Sequence, residues 1–290
     1  MEQHDRYIAG VPCWIDTTQP DPEAAANFYG DLFGWEVERI TPPDAPITYY
    51  MARLRGGDVA AIGSQPEGVR PAAVWNTYVW VEDADETAAK VGAAGGSVLV
   101  EPGDVGDFGR MAMFADPEGA AFCVWQGKEH RGATVVNEHA SLNFNDLKTR
   151  DLDGARSFYG AVFGWEVIHG AMWALAGYGD FLEQRRPGTR EGMAQMGAPE
   201  RFEDVVASVS PIEGDQEPHW GVIFGVDDAD AIASRAAALG GKVVVPPFDA
   251  PWVRMTVIAD PQGATFTASK FVPENKDLGR AGADAISSGR

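Results

Sequence analysis

The sequence predicts an α+β fold of four βαβββ modules arranged as two tandem domains. Three observations predict it: a length of 290 residues, three motifs that each occur twice, and a recurring order of strand, helix and further strands around them. At about 100–200 residues per domain, such a length makes about two domains with sizeable cores. Phe28-Tyr29-Gly30 with Phe33-Gly34-Trp35-Glu36-Val37 returns as Phe158-Tyr159-Gly160 with Phe163-Gly164-Trp165-Glu166-Val167. The stretch from Glu82-Asp83-Ala84-Asp85 to Gly95-Gly96 returns from Asp227-Asp228-Ala229-Asp230 to Gly240-Gly241, and Asp116-Pro117-Glu118-Gly119-Ala120 returns as Asp260-Pro261-Gln262-Gly263-Ala264. Both sets keep one order, so the chain reads as a duplication. The first domain is expected over 8–127, a linker over 128–138, the second domain over 139–272 and a polar, fraying tail over 273–290.

Within the first copy, Cys13–Asp16 reads as a strand. Asp21 can cap a helix whose first residue is Pro22, where a missing N–H costs nothing. Ala25, Phe28, Tyr29 and Leu32 recur at helical spacing and form one apolar face, and Gly34 ends the helix. Strands follow near Tyr49–Met51 and Val59–Ile62, and the cycle restarts with a strand over Trp75–Val81 and a helix from Asp83 to the Gly95-Gly96 stop. Met111–Phe114 and Ala121–Trp125 flank the Asp-Pro-Glu-Gly turn as a hairpin.

Composition restricts the function classes. The chain has 23 Lys and Arg against 43 Asp and Glu, a net charge of −20, which repels phosphate backbones and anionic headgroups; nucleic acid and membranes are not expected as partners. A 45% hydrophobic share belongs to a folded protein. No stretch reaches the ~20 apolar residues of a membrane span, and the N-terminal residues lack a signal-peptide pattern, so a cytoplasmic location is expected. Cys13 and Cys123 lack metal or redox spacing and are expected to be reduced and structural.

The AAANFYGDLFGWEV helix and DPEGAAFCVW hairpin, with their second copies ARSFYGAVFGWEV and DPQGATFTAS, resemble the vicinal oxygen chelate superfamily of glyoxalases, bleomycin-resistance proteins and extradiol dioxygenases. The resemblance runs from about residue 10 to 272 and is nearest to a tandem-domain actinobacterial group described as glyoxalase-like or as hydroxylases. It implies that each domain is a curled mixed sheet with outer helices and a ligand or metal on the inner face. It also implies metal ligands on the first and last strand of each module. Those places hold Trp14, Ala61, Asn76 and Cys123 in the first copy, and Phe144, Gln195, Gly221 and Thr267 in the second. Indole, phenyl and glycine offer a divalent ion no donor, so no metal and no other cofactor is expected.

Strand alternation puts Trp14 and Asp16 on one face, and likewise Asn76, Tyr78 and Trp80. With Cys123 and Trp125 they make either an aromatic-walled small-molecule pocket or a filled core. In the second copy the inner face is assigned Phe144, Asp146, Thr267 and Ser269. Asp16, Asp146 and His219 are the acid/base candidates, His because it titrates near neutrality. Arg110 and Arg254 occupy equivalent positions and could hold a carboxylate or phenolate, or serve as structural ion pairs. Three functions stay open: a metal-independent protein that binds or transforms a small, aromatic metabolite, a metal enzyme of the glyoxalase or dioxygenase type, and a non-catalytic interaction module. The expected partner is a small molecule, and the chain is expected to act as a monomer or homodimer.

Overall fold

A computed structural model describes residues 7–65, 72–212 and 214–278. The N-terminal residues read above for a signal pattern and the tail beyond Leu278 lie outside the described residues. Strand β1 (Pro12–Gln19) leads into α1 (Pro22–Phe33), then β2 (Glu36–Arg39), β3 (Tyr49–Leu54) and β4 (Gly57–Ser64). The second module is β5 (Val74–Trp80), α2 (Ala84–Ala93), β6 (Ser97–Val105), β7 (Gly109–Ala115) and β8 (Ala121–Gly127). The third is β9 (Ser141–Thr149), α3 (Leu152–Phe163), β10 (Trp165–Ile168), β11 (Met172–Leu175), α4 (Tyr178–Arg185), α5 (Thr189–Gln195) and β12 (Val205–Pro211). The fourth is β13 (His219–Gly225), α6 (Ala229–Ala238), β14 (Lys242–Ala250), β15 (Val253–Ala259) and β16 (Thr265–Phe271). The fold is therefore α+β with two eight-stranded mixed sheets, ordered β2-β3-β4-β1-β5-β8-β7-β6 and β10-β11-β12-β9-β13-β16-β15-β14. No helix among the described residues is long and apolar enough to cross a membrane.

The helices begin and end where the sequence signals them. The carboxylates of Asp21, Asp83, Asp151 and Asp228 each accept a first-turn N–H, and Gly34 and Gly164 close α1 and α3 in the left-handed region, at φ 72° and 73°. The third module departs from the simple pattern, because α4 and α5 are inserted between β11 and β12. Gln195 is the last residue of α5, and the strand residue paired with Asp146 is instead Ser208.

Packing divides the chain into two compact units that do not follow the sequence halves. One comprises residues up to Ile15, Asn76–Thr134 and Phe144–Gly221; the other comprises Asp16–Trp75, Val135–Asn143 and the chain from Val222 on. In the first unit, Asp116 Oδ1 accepts the N–H groups of Glu118 and Ala120 and so fixes the Asp-Pro-Glu-Gly turn. Its Oδ2 accepts the Tyr159 hydroxyl at 3.0 Å, and that hydroxyl accepts the Trp220 indole N–H at 2.9 Å. The second unit repeats the arrangement: Asp260 accepts three turn N–H groups and the Tyr29 hydroxyl at 2.9 Å, and Tyr29 accepts from Trp75 at 3.0 Å. Gln19 adds a 2.7 Å hydrogen bond to Asp260 Oδ2.

The other repeated residues close around these chains. In the first unit the Trp165 indole donates to the Gly10 carbonyl at 2.7 Å, and in the second Trp35 donates to Ala140 at 2.8 Å. Gly95 and Gly240 stop their helices at positive φ, while Gly96 and Gly241 serve a different end. A Cβ on Gly96 would lie 2.7 Å from the Phe158 ring, and one on Gly241 would lie 3.2 Å from that of Phe28. Each second glycine thus admits the phenylalanine of the FYG motif.

Removing the Tyr159 or Tyr29 hydroxyl leaves a buried carboxylate and an indole N–H each short of a partner. Tyr159→Phe and Tyr29→Phe are each expected to lose about 1–3 kcal/mol of stability, measured by urea unfolding. Burial raises the Asp116 carboxyl above its usual range despite the hydrogen bonds that oppose the shift. The stability it contributes is therefore complete below the ordinary carboxylate value, about 4, and is lost as pH rises through the raised folded value. The stability of the wild type relative to Asp116→Asn should fall with rising pH across that window; a flat or rising difference would contradict the assignment.

Candidate functional site

The face of each sheet away from the helices carries the candidate chemistry. On β1, Cys13, Ile15 and Thr17 are fully buried, and alternation sends Trp14 and Asp16 to the opposite face. On β5, Trp75 and Thr77 turn toward the core, which leaves Asn76, Tyr78 and Trp80 on the other side. Register puts Tyr78 beside Cys123 and Trp80 beside Trp125.

In the first unit the structure brings Trp14 and Trp125 together around a residue the sequence reading left unassigned, His130. Its ring lies 4.5 Å from the Trp14 ring and 5.7 Å from that of Trp125, both edge-on, and its carbonyl accepts the Trp125 indole N–H at 2.8 Å. Trp14 and Trp125 are buried and His130 is half-buried. His130 follows β8 in a stretch with no periodicity, so no local signal tied it to the strands. Trp80 is occupied otherwise: it stacks on Tyr7 at 6.4 Å, and a Cβ on Gly127 would lie only 2.6 Å from its ring. Tyr7 is anchored by its hydroxyl, which donates to the Ala133 carbonyl. Trp80 is thus a packing residue beneath the N-terminal segment.

Asp16, in the second unit, pairs with Ala61 in register and accepts the Tyr49 hydroxyl at 2.9 Å. Tyr49 reaches it across Gly63, where a Cβ would crowd the tyrosine ring at 3.0 Å.

In the first unit, β9 turns Asn145 inward, where it donates to Thr77 Oγ1 at 2.7 Å, and so leaves Phe144, Asp146 and Lys148 on the other face. Asp146 is almost buried and accepts from Ser208 and Ser210, each at 2.8 Å, while Lys148 Nζ lies 2.8 Å from its Oδ2. The acid/base candidates Asp146 and His219 do not pair with one another among the described residues: His219 Nδ1 contacts the Glu217 carbonyl at 2.7 Å. With both its oxygens engaged by donors, Asp146 is an organising group rather than a free base. Ser208 and Ser210 were legible in principle, since they alternate with valine in a strand of otherwise apolar character.

Thr267 and Ser269 lie on β16 in the second unit, opposite Ile223 and Gly225. Arg110 and Arg254 are bound on the helix side. Arg110 pairs with Asp85 in the first turn of α2 and with Asp104, while Arg254 holds Asp230 of α6 through two hydrogen bonds and also pairs with Asp249. They are structural pairs of the kind weighed against ligand capture. Among the described residues no three His, Cys, Asp or Glu side chains group to hold a metal ion.

Comparison with known proteins gives a consistent picture. The model of the Glyoxalase/Bleomycin resistance protein/Dioxygenase superfamily matches residues 14–124 and 140–267. The protein named "Putative glyoxylase CFP32" of Mycobacterium tuberculosis (strain CDC 1551 / Oshkosh) is 40% identical over 279 residues, which cover 94% of this chain and 100% of the relative. The "Anthracycline biosynthesis protein DauV" of Streptomyces sp. (strain C5) is 34% identical over 297 residues, covering 97% and 99%. The crystal structure of an Mn(II)-bound glyoxalase from Novosphingobium aromaticivorans superposes with a TM-score of 0.57 at 15% identity, covering 91% of this chain and 83% of that one, which is a likeness of fold.

The helix-side assignment of the arginines has a direct consequence. Arg254→Met and Arg110→Met should leave the affinity for any small-molecule ligand unchanged, as read by titration of the variants beside the wild type. A loss of binding in either would return the arginines to the site.

Proposed function

Since the chain belongs to the Glyoxalase/Bleomycin resistance protein/Dioxygenase superfamily, we propose that it binds a small aromatic metabolite on the inner face of its sheets and does so without a metal. The observation that carries this reading is the Trp14–His130–Trp125 nest, with Cys123 on the same strand as Trp125 and Tyr78 and Asn76 on the adjoining β5. Two indoles and an imidazole edge-on to them make a surface suited to a flat ring, and each ring contact adds about 0.5–1.5 kcal/mol beyond area burial. Asn76 shares its face of β5 with Tyr78. The relatives named for anthracycline biosynthesis favour a planar aromatic ligand over the small aldehyde of glyoxalase chemistry.

Metal independence rests on the donor chemistry. Trp14, Ala61, Asn76 and Cys123 in one half, and Phe144, Ser208, Gly221 and Thr267 in the other, do not furnish the three or four N, O or S ligands that a divalent ion requires. The residues present do not fit the divalent cation that the superfamily's enzymes employ. Turnover would draw on the chain's own groups, and the half-buried His130 is the titratable side chain within the aromatic nest.

Quenching of tryptophan fluorescence by a panel of quinones, phenols and polyketide-like compounds tests the reading. Trp14→Ala should weaken binding at least about tenfold, because the lost indole removes both stacking and buried area. Saturable quenching that is identical in wild type and Trp14→Ala, with the variant folded, would refute the assignment. Metal analysis of the purified protein is expected to find no stoichiometric Zn, Ni, Mn or Fe, and chelator should leave ligand binding intact.

A further inference from the structure

The two halves differ most where their residues correspond. Register equates Asp16 and Ala61 with Asp146 and Ser208, and Thr18 and Gly63 with Lys148 and Ser210. Met51 and Met172 pair with Ala61 and Ser208, so Tyr49, two residues before Met51, corresponds to Gly170. Asn76 likewise corresponds to Gly221, because Tyr78 and Ile223 hold matching places opposite Cys123 and Thr267. Where the first half has a tyrosine and an asparagine, the second has two glycines. A Cβ on Gly170 would meet nothing within 4 Å, and one on Gly221 would meet only the Asp146 carbonyl, at 3.6 Å. Gly170 lies at φ 77°, a left-handed conformation that favours glycine, so its backbone accounts for it, whereas at Gly221 a side chain could be accommodated and packing does not demand glycine.

Beside Gly221 stands the polar cluster of Asp146, Lys148, Ser208 and Ser210. We propose that Asp146, Lys148, Ser208 and Ser210, with the room left by Gly221, form a binding site for an uncharged hydroxyl-bearing group of the polyol or sugar class. Lys148 Nζ spends two of its three N–H donors, on Asp146 at 2.8 Å and on Ser210 Oγ at 2.7 Å, and keeps one. Ser208 and Ser210 give their hydrogens to Asp146, which leaves lone pairs on the Ser208 oxygen. A free N–H beside a free hydroxyl lone pair matches a ligand hydroxyl, which both accepts and donates.

Charge argues for a neutral ligand. The Asp146 carboxylate offsets the Lys148 ammonium at contact distance, so an anion gains little from the lysine and faces the carboxylate in a chain of net charge −20. A cation finds the Asp146 oxygens already taken by Ser208, Ser210 and Lys148. The cluster does not activate a nucleophile, because Ser210 receives a hydrogen from Lys148 and gives its own to the carboxylate. Nor is stability a sufficient reason for it, since well-packed apolar residues usually serve a sheet face at least as well as a shielded ion pair does. The site is independent of the Trp14 nest, and its failure would leave that reading standing.

The test is titration of the full chain, followed by backbone amide NMR, with methyl glucoside as the neutral probe and glucuronate as its charged counterpart. Saturable shifts are expected in 144–148, 205–211 and 219–223 with the glucoside, and binding of glucuronate at least about tenfold weaker. Ser208→Ala, which removes only a hydroxyl, should weaken glucoside binding about tenfold, and Lys148→Met should do the same. Asp146→Asn should narrow or reverse the preference for the neutral probe. Absence of saturable shifts with the glucoside, equal or tighter binding of glucuronate to the wild type, or unchanged affinity in a folded Ser208→Ala would each overturn the proposal.

Discussion

In each compact unit a buried tyrosine hydroxyl stands between an indole N–H and an aspartate, and the rest of the packing depends on that chain of two hydrogen bonds. In one unit it joins Trp220, Tyr159 and Asp116; in the other it joins Trp75, Tyr29 and Asp260. Each chain links a strand, a helix and a hairpin turn drawn from different modules. A buried carboxylate is costly unless donors surround it, and here the turn's own N–H groups and the tyrosine provide them. The helix must consequently present its tyrosine at one height over the turn. The phenylalanine before it then falls against the second glycine of the opposite Gly-Gly pair, and the tryptophan after the helix reaches a backbone carbonyl. Three motifs far apart in sequence are thereby parts of one joint.

That joint explains what was legible in the sequence. Helix caps at Asp21, Asp83, Asp151 and Asp228 are local chemistry, and the Asp-Pro turns and strand alternation on β1 and β5 are local as well. The fold could be read because its repeated residues all serve local geometry or the joint. Less legible was which motif meets which. Nothing in the spacing says that Tyr29 finds Asp260 rather than Asp116, since both aspartates stand in the same turn. The helical insertion of α4 and α5 was missed too, and with it the true strand partner of Asp146, because Ser208 follows a stretch rich in charge and glycine where a strand was sought around Gln195. His130 escaped notice because a residue in an irregular segment acquires its neighbours only through the tertiary fold.

The two faces of each sheet obey different rules. On the helix side the halves agree residue for residue at Tyr29 and Tyr159, Trp35 and Trp165, Trp75 and Trp220, and Asp116 and Asp260, because each pair fills the same role in the joint. On the other side they diverge: Trp14 against Phe144, Ala61 against Ser208, Tyr49 against Gly170, Asn76 against Gly221, Cys123 against Thr267. A fold fixed by one face leaves the other free to carry chemistry, and identical architecture does not imply identical sites.

The acidity of the chain takes on a more definite meaning in this light. Most of its carboxylates are exposed or capped by arginine and lysine, as at Arg53 with Glu38 and Asp58, or Arg190 with Asp180 and Glu203. Two buried acids on the faces away from the helices, Asp16 and Asp146, are instead held by hydroxyl and ammonium donors. A carboxylate engaged in this way orients its neighbours, Tyr49 in one case and Lys148 with two serines in the other. Negative charge at the surface then disfavours anionic ligands over the whole molecule, while the inner faces offer aromatic edges and fixed hydroxyls. On the proposed reading, ligands are selected by shape, stacking and neutral hydrogen bonding, and a strongly anionic substrate finds little to grasp.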